Sequence, residues 1–126
     1  MAEKIFVDTS GFFAFLNKAD ENHEKARKGL ESARIVTSSY IFDELMTLLT
    51  ARGQKDLSIS FGEQLRADKM IDYHFVTSKE EEKAWNLYKK YRDHSLSFTD
   101  STTLVLLKEL RIGNLLSFDE TLLRLF

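Results

Sequence analysis

The stretch that decides the fold is EKIFVDTSGFFAF, residues 3–15. A short apolar run climbs from Lys4 to Asp8, halts at Thr9, Ser10 and Gly11, and gives way to a second, aromatic run. An unbroken apolar segment this short reads as a strand buried on both faces. Asp8 then has two readings. Aspartate, serine and threonine ahead of a helix cap its free N–H groups. The end of a buried strand is also where α/β proteins place the groups that meet ligands.

Outward from this stretch, strands and helices alternate. RIVTS (34–38) is a second strand, and NLLSF (114–118) is a fourth. Between them MIDYHFV (70–76) alternates apolar and polar residues, which suits a strand at the sheet edge. Helical periodicity covers residues 11–17, 22–33, 39–52, 56–69, 79–92 and 99–111, and a last short helix runs to the C-terminus. Gly53 ends the third helix, and Ser78 with Glu81 has capping-box spacing at the start of the fifth. Short apolar strands separated by helices predict a three-layer α/β/α sandwich around a central, mainly parallel sheet. Four strands are expected, and a fifth only if the residues after Asp119 pair with the sheet.

The length of 126 residues predicts one domain over 1–126. No apolar run approaches the ~20 residues that span a bilayer. The N-terminus lacks the layout of a secretory signal, so a cytoplasmic location is expected. With no cysteine, disulfides and thiolate metal sites are excluded. A net charge of −2 argues against a protein that coats nucleic acid with basic surface. It leaves room for an enzyme that meets nucleic acid through a metal held by acids.

Among twenty acids, position selects four. Asp8 ends the first strand and Asp119 follows the fourth, so in a parallel sheet both stand at one rim. On the helix 39–52, Ile41, Leu45, Leu48 and Leu49 form the buried stripe, and Glu44 borders it while Asp43 points away. On the helix 99–111, Leu104, Leu107 and Leu110 are read as one face, and Asp100 shares it. Each acid also has a structural reading. Asp8 could cap the helix after it, Ser97 with Asp100 and Ser117 with Glu120 have capping-box spacing, and Glu44 could pair with a buried arginine. Taken together, four carboxylates at one rim repel unless neutralised. A divalent cation with a preference for hard oxygen ligands, Mg²⁺ or Mn²⁺, is the simplest neutraliser. Such a cation activates water and stabilises in-line displacement at phosphorus.

The ordered set VDTS, FDELMTLL, SFTDSTTLVLLKEL and LLSFDETL resembles the PIN-domain nucleases over essentially the whole chain. NHEKARKGL, with His23 and Ala26, matches the H-x-x-A of the small VapC-type toxins of that family. The resemblance implies metal ligation by Asp8, Glu44, Asp100 and Asp119, with supporting hydrogen bonds from Ser10 and Ser117. It implies Mg²⁺- or Mn²⁺-dependent cleavage of RNA, a homodimer and an antitoxin partner. The family commonly has a strand after its last acid, where this chain has only Glu120 to Phe126. Arg52, Lys55 and Lys108 are candidates to hold RNA, and each reads as ordinary surface.

Phe12, Phe13, Phe15 and Leu16 read mostly as core, with any exposed remainder a partner surface. His23, His74 and His94 share no ligand spacing. Trp85, Tyr88 and Tyr91 read as a packing stripe before a base-stacking platform. Three other classes compete with a nuclease. A catalytically silent PIN-like module would not need the intact acid set. A receiver domain needs an acidic pair after the first strand, where VDTS has one acid. A haloacid-dehalogenase-like phosphatase needs a second aspartate where Ser10 stands. No phosphate loop or dinucleotide fingerprint is present.

Overall fold

The computed structural model describes residues 3–126. Its elements in chain order are β1 (Lys4–Val7), α1 (Thr9–Leu16), α2 (His23–Leu30), β2 (Arg34–Ser38), α3 (Ser39–Ala51) and α4 (Lys55–Ala67). They continue with β3 (Asp72–His74), α5 (Ser78–Lys90), α6 (Phe98–Glu109), β4 (Leu115–Leu116) and α7 (Glu120–Leu125). The strands form one sheet in the order β3-β2-β1-β4, parallel at every pairing. Phe6 stands opposite both Val36 and Leu115, which makes β1 the centre of the sheet.

The chain steps from β1 to β2 to β3 in one direction, then crosses back past β1 to β4. By the right-handed rule for connections between parallel strands, this order sets helices α1–α4 on one face and α5–α6 on the other, the three-layer arrangement expected from the sequence. The reversal falls between β1 and β4. Ligands bind beyond the carboxyl ends of the strands at such a switch point, and Asp8 and Asp119 flank it.

Phe6 and Val7 are fully buried at the centre, with Phe12, Val36, Ile41, Leu45, Leu49, Leu106 and Leu116 packed around them. Gly11 is required where α1 crosses β4, because a Cβ there would lie 2.6 Å from the Leu116 carbonyl oxygen. That close approach draws the start of α1 onto the end of β4, and the Asp8 N–H donates to Leu116 O at 3.3 Å. The edge strand β3 is blunted by charge. Asp72 accepts from Arg34 at 2.7 Å and meets Lys4 at 3.4 Å.

The residues after Asp119 form α7, the short final helix expected, and among the described residues the sheet has the four strands expected. Other expectations are corrected. The cap of α5 is Thr77 with Glu80, one residue ahead of the expected pair. Ser117 and Glu120 make no capping box, since Asp119 itself caps α7 and the Ser117 hydroxyl turns to Asp8. On α6, Leu110 is exposed and Leu104 only half-buried; the buried side is carried by Asp100, Ser101, Thr102, Thr103, Val105, Leu106 and Leu107. A helix wedged between neighbours on several sides does not show a single stripe.

Candidate active site

Asp8 caps α1 and also lines the candidate site. Its Oδ1 accepts the Gly11 N–H at 2.8 Å, which caps α1, and the Ser10 hydroxyl at 2.8 Å. Its Oδ2 accepts the Ser117 hydroxyl at 2.5 Å. The two hydroxyls are oriented from behind by the chain after β4. Ser10 Oγ accepts the Phe118 N–H at 2.8 Å, and Ser117 Oγ accepts the Asp119 N–H at 3.1 Å. Each serine therefore has its single proton directed to the Asp8 carboxylate. β1 and β4 are thus locked at the switch point by a polar network around one acid.

The other three acids arrive from separate elements. Glu44 sits one turn into α3, half-buried beside the apolar stripe, and its Oε1 accepts the Thr9 hydroxyl at 2.5 Å. Asp100 lies in the first turn of α6, buried, with Oδ2 accepting the Ser97 N–H at 3.1 Å. Ser97 Oγ in turn accepts the Asp100 N–H, so the expected capping box is present and its carboxylate also lines the cavity. Asp119 caps α7 through Oδ1, which accepts the Leu122 N–H at 2.9 Å. All four carboxylates line one cavity of ≈ 260 Å³ at the carboxyl ends of β1 and β4.

Glu44, Asp100 and Asp119 each hold one oxygen in a protein hydrogen bond, and among the described residues the other takes none. None of the four is in a salt bridge among the described residues. The electrostatic consequences follow. Burial pushes the Asp8 carboxyl up, against the hydrogen bonds from Ser117, Gly11 and Ser10, and the charge of Asp119 adds to the rise. Burial likewise lifts the Asp100 carboxyl from its ordinary 3.8 to about 6, with the charges of Asp119 and Glu44 pushing the same way against the Ser97 N–H. Two carboxyls raised by burial and by the charge of Asp119 are the mark of a site that accepts positive charge.

The donor set is all oxygen and all acidic, which suits a hard divalent cation. Among the described residues no three acidic or histidine side chains are already drawn into a closed cage. The four carboxylates instead ring the cavity.

The cavity wall also holds residues that the sequence reading passed over. Arg52, read as ordinary surface, lines the cavity just past the end of α3 and lies over the Phe13 ring at 5.2 Å. Among the described residues it is the one basic side chain in the cavity wall, and it is in no salt bridge with the acids. Asp20 and Asn22 line the mouth, and Asp20 is bonded to the Asn22 N–H at 2.8 Å. No spacing rule marks these residues, because the loop from α1 to α2 brings them in. Lys55 and Lys108 are exposed and do not line the cavity. His23 is structural in its contacts: it bonds the Ala14 carbonyl at 3.0 Å through Nδ1, and with fully buried Ala26 it seats α2 on α1. A carbonyl only accepts, so Nδ1 carries the proton. Phe12 is buried edge-on to Phe61 at 5.5 Å, while Phe13, Phe15 and Leu16 are half-buried.

A PIN domain family profile matches residues 5–125. The 23S rRNA-specific endonuclease VapC20 of Mycobacterium tuberculosis is 29% identical over 117 residues, covering 91% of this chain and 88% of that protein. The crystal structure of Mycobacterium tuberculosis VapC20, described as a sarcin-ricin loop cleaving toxin, superposes with a TM-score of 0.88 at 28% identity. The match covers 96% of this chain and 94% of that one. A toxin–antitoxin complex from Klebsiella pneumoniae shares the fold, with a TM-score of 0.61 at 16% identity over 88% of this chain and 82% of that one.

Proposed function

This chain belongs to the PIN-domain family, and from that premise we propose that it is a Mg²⁺- or Mn²⁺-dependent endoribonuclease. We further propose that it is the toxin of a toxin–antitoxin pair, acting in the cytoplasm as a homodimer with a protein antitoxin as partner. One observation carries the catalytic reading. Four carboxylates from four different elements share one cavity at the sheet's switch point, with no salt bridge among the described residues to neutralise them. The likeness to VapC20 over most of both chains supports RNA as the substrate class.

In this reading Asp8, Asp100 and Asp119 hold the cation and Glu44 completes the site. Bound there, a divalent cation supplies positive charge to the phosphodiester and lowers the pKa of water. The chain's own residues do the rest. Ser10 and Ser117 fix both oxygens of Asp8 and favour its ionised form. The Ser97 N–H fixes Asp100. Thr9 holds Oε1 of Glu44, which leaves Oε2 to accept the proton of the attacking water. As that water's oxygen bonds to phosphorus, the P–O bond to the leaving oxygen breaks, and the leaving oxygen takes a proton from solvent. Arg52 at the cavity wall is placed to meet a substrate phosphate.

The test is an assay with structured and single-stranded RNA in Mg²⁺ or Mn²⁺, beside Asp8→Asn and Asp100→Asn. Cleavage that needs metal and is lost in both variants is expected. Cleavage in no condition, or cleavage that survives both substitutions, overturns the proposal.

A further inference from the structure

The sequence reads Trp85 and Tyr88 as packing residues, but α5 turns both outward. Trp85 is 46% exposed and Tyr88 40% exposed. Their rings stack on each other with centroids 5.7 Å apart and an interplanar angle of 19°. Phe98 props the pair from α6, 6.4 Å from Trp85 and edge-on to Tyr88 at 5.9 Å. A stacked, braced and exposed aromatic pair is stiff. It has already lost the ring freedom that ligand binding would otherwise have to remove.

The charge beside these rings has one sign. The cleft of ≈ 400 Å³ next to them is lined by Trp85, Tyr88, Lys89, Arg92 and His94 among others, and by no acid. Lys89 Nζ lies 5.7 Å from the Trp85 ring centroid. Neither Lys89 nor Arg92 is in a salt bridge among the described residues. On a chain of net charge −2, an acid-free cleft with unpaired cations and exposed rings is an anomaly that a polyanion with aromatic bases would match. Its place is equally specific. Phe98, which braces the rings, shares the first turn of α6 with Asp100. The segment between α5 and α6 is also tied to α7 beside Asp119, where Ser95 Oγ and Thr121 Oγ1 lie 3.1 Å apart. The platform therefore adjoins the acid cavity through one helical turn.

We propose that the corner between α5 and α6 is a positioning site for single-stranded RNA. Unpaired bases stack on Trp85 and Tyr88, and Lys89 and Arg92 bind the flanking phosphates. Lys89 exchanges its ring contact for a phosphate as a base takes the indole face. The inference rests on the ribonuclease reading and extends it, since it names the structural class of RNA that the site selects: an unpaired loop or strand rather than a duplex, whose bases are already stacked.

Trp85 is the chain's one tryptophan, so its fluorescence reports this corner alone. The experiment adds a short fluorescein-labelled oligoribonucleotide to the full chain in EDTA, where binding is read without cleavage. Tryptophan quenching and anisotropy are followed together. Quenching that saturates with anisotropy is expected, as is roughly tenfold weaker binding by Trp85→Ala, typical of one lost stacking contact. The double variant Lys89→Gln, Arg92→Gln should flatten the salt dependence of log affinity by about 1.4, at ~0.7 per phosphate contact on a single strand. A base-paired RNA of the same length should leave the tryptophan unquenched. If RNA is cleaved with metal but Trp85→Ala binds it as tightly as wild type, the platform inference falls and the ribonuclease reading stands. If no RNA is bound or cleaved, the ribonuclease reading falls first. If Trp85→Ala instead converts a dimer to a monomer in sedimentation, the rings are a contact between copies, and the inference is overturned. Circular dichroism of each variant confirms that it is folded.

Discussion

Asp100→Asn should stabilise the metal-free protein while abolishing its activity. The reason lies in where Asp100 stands: buried in the first turn of α6, facing Asp119 and Glu44, with its carboxyl pushed up to about 6 from an ordinary 3.8. Below about pH 4 the carboxyl is protonated in both folded and unfolded chains and contributes nothing. Between about 4 and 6 the unfolded chain gives up the proton and the folded chain keeps it, so stability falls as pH rises. Above about 6 the loss is complete and constant. At 1.36 kcal/mol per pH unit the full displacement corresponds to about 3 kcal/mol. Water in the open cavity screens part of it, leaving about 1–2 kcal/mol. Asparagine can still accept the Ser97 N–H, so that bond survives in weaker form. With an unfolding entropy near 2.1 cal/mol/K per residue, the gain is about 4–8 °C in Tm at neutral pH. Thermal and urea unfolding in EDTA, scanned from about pH 4 to about pH 8, measures it. The gap between variant and wild type should open through the Asp100 titration and then hold. In excess Mg²⁺ the order should narrow or invert, because only the wild type gains binding free energy. An Asp100→Asn protein less stable than wild type in EDTA at neutral pH, or a gap that does not change with pH, would refute this account of the cluster.

Gly11→Ala should destabilise by about 1–3 kcal/mol, since its Cβ meets a backbone carbonyl that cannot swing aside; urea unfolding measures the loss. Because α1 carries Asp8 at its head, the same change should lower kcat even where the protein remains folded. Ser117→Ala removes a hydroxyl from Asp8 Oδ2 and an acceptor from the Asp119 N–H. It should weaken Mg²⁺ binding by about tenfold, as loss of a group that orients a ligand does, and calorimetry reads this directly. Arg52→Gln should raise KM for RNA several-fold with less effect on kcat, because Arg52 lines the cavity without touching the acids; steady-state cleavage kinetics separates the two.

Much of the fold was legible because its signals are local. A buried parallel strand declares itself by an unbroken apolar run, as at Ile5–Val7, and the edge strand by the alternation of Ile71, Asp72, Tyr73 and His74. Asp8, Glu44, Asp100 and Asp119 were legible as anomalies, each acid standing where the pattern around it asks for an apolar residue or a strand end. Asp20 and Asn22 were not, and Arg52 was only one of three basic candidates, because nothing local distinguishes a residue at the end of a helix or in a loop from one that folds over a cavity. α6 misled for the opposite reason: Leu104, Leu107 and Leu110 satisfy a helical stripe, but a helix enclosed on several sides buries threonines as readily as leucines.

At Asp8 the cap and the proposed ligand role are compatible, because the cap uses one oxygen of the carboxylate. Asp8, Asp100 and Asp119 all spend one oxygen on the N–H groups of a helix start. A helix N-terminus carries about half a positive charge. At these three positions helix-start N–H groups fix one oxygen of each acid in place. Capping is therefore the means by which the site is assembled. It fixes one oxygen of each acid by backbone geometry and, for Asp100 and Asp119, leaves the second without a partner among the described residues. A substitution that preserves the cap but removes the charge, Asp to Asn, should keep the helices and lose the metal. One that removes both, Asp to Ala at 100 or 119, should lose the metal and also about 1 kcal/mol of helix stability. The difference between the two variants at each position, measured by unfolding in EDTA, isolates the cap from the charge. Equal stabilities for the Asn and Ala variants at both positions would show that the caps do not assemble the site.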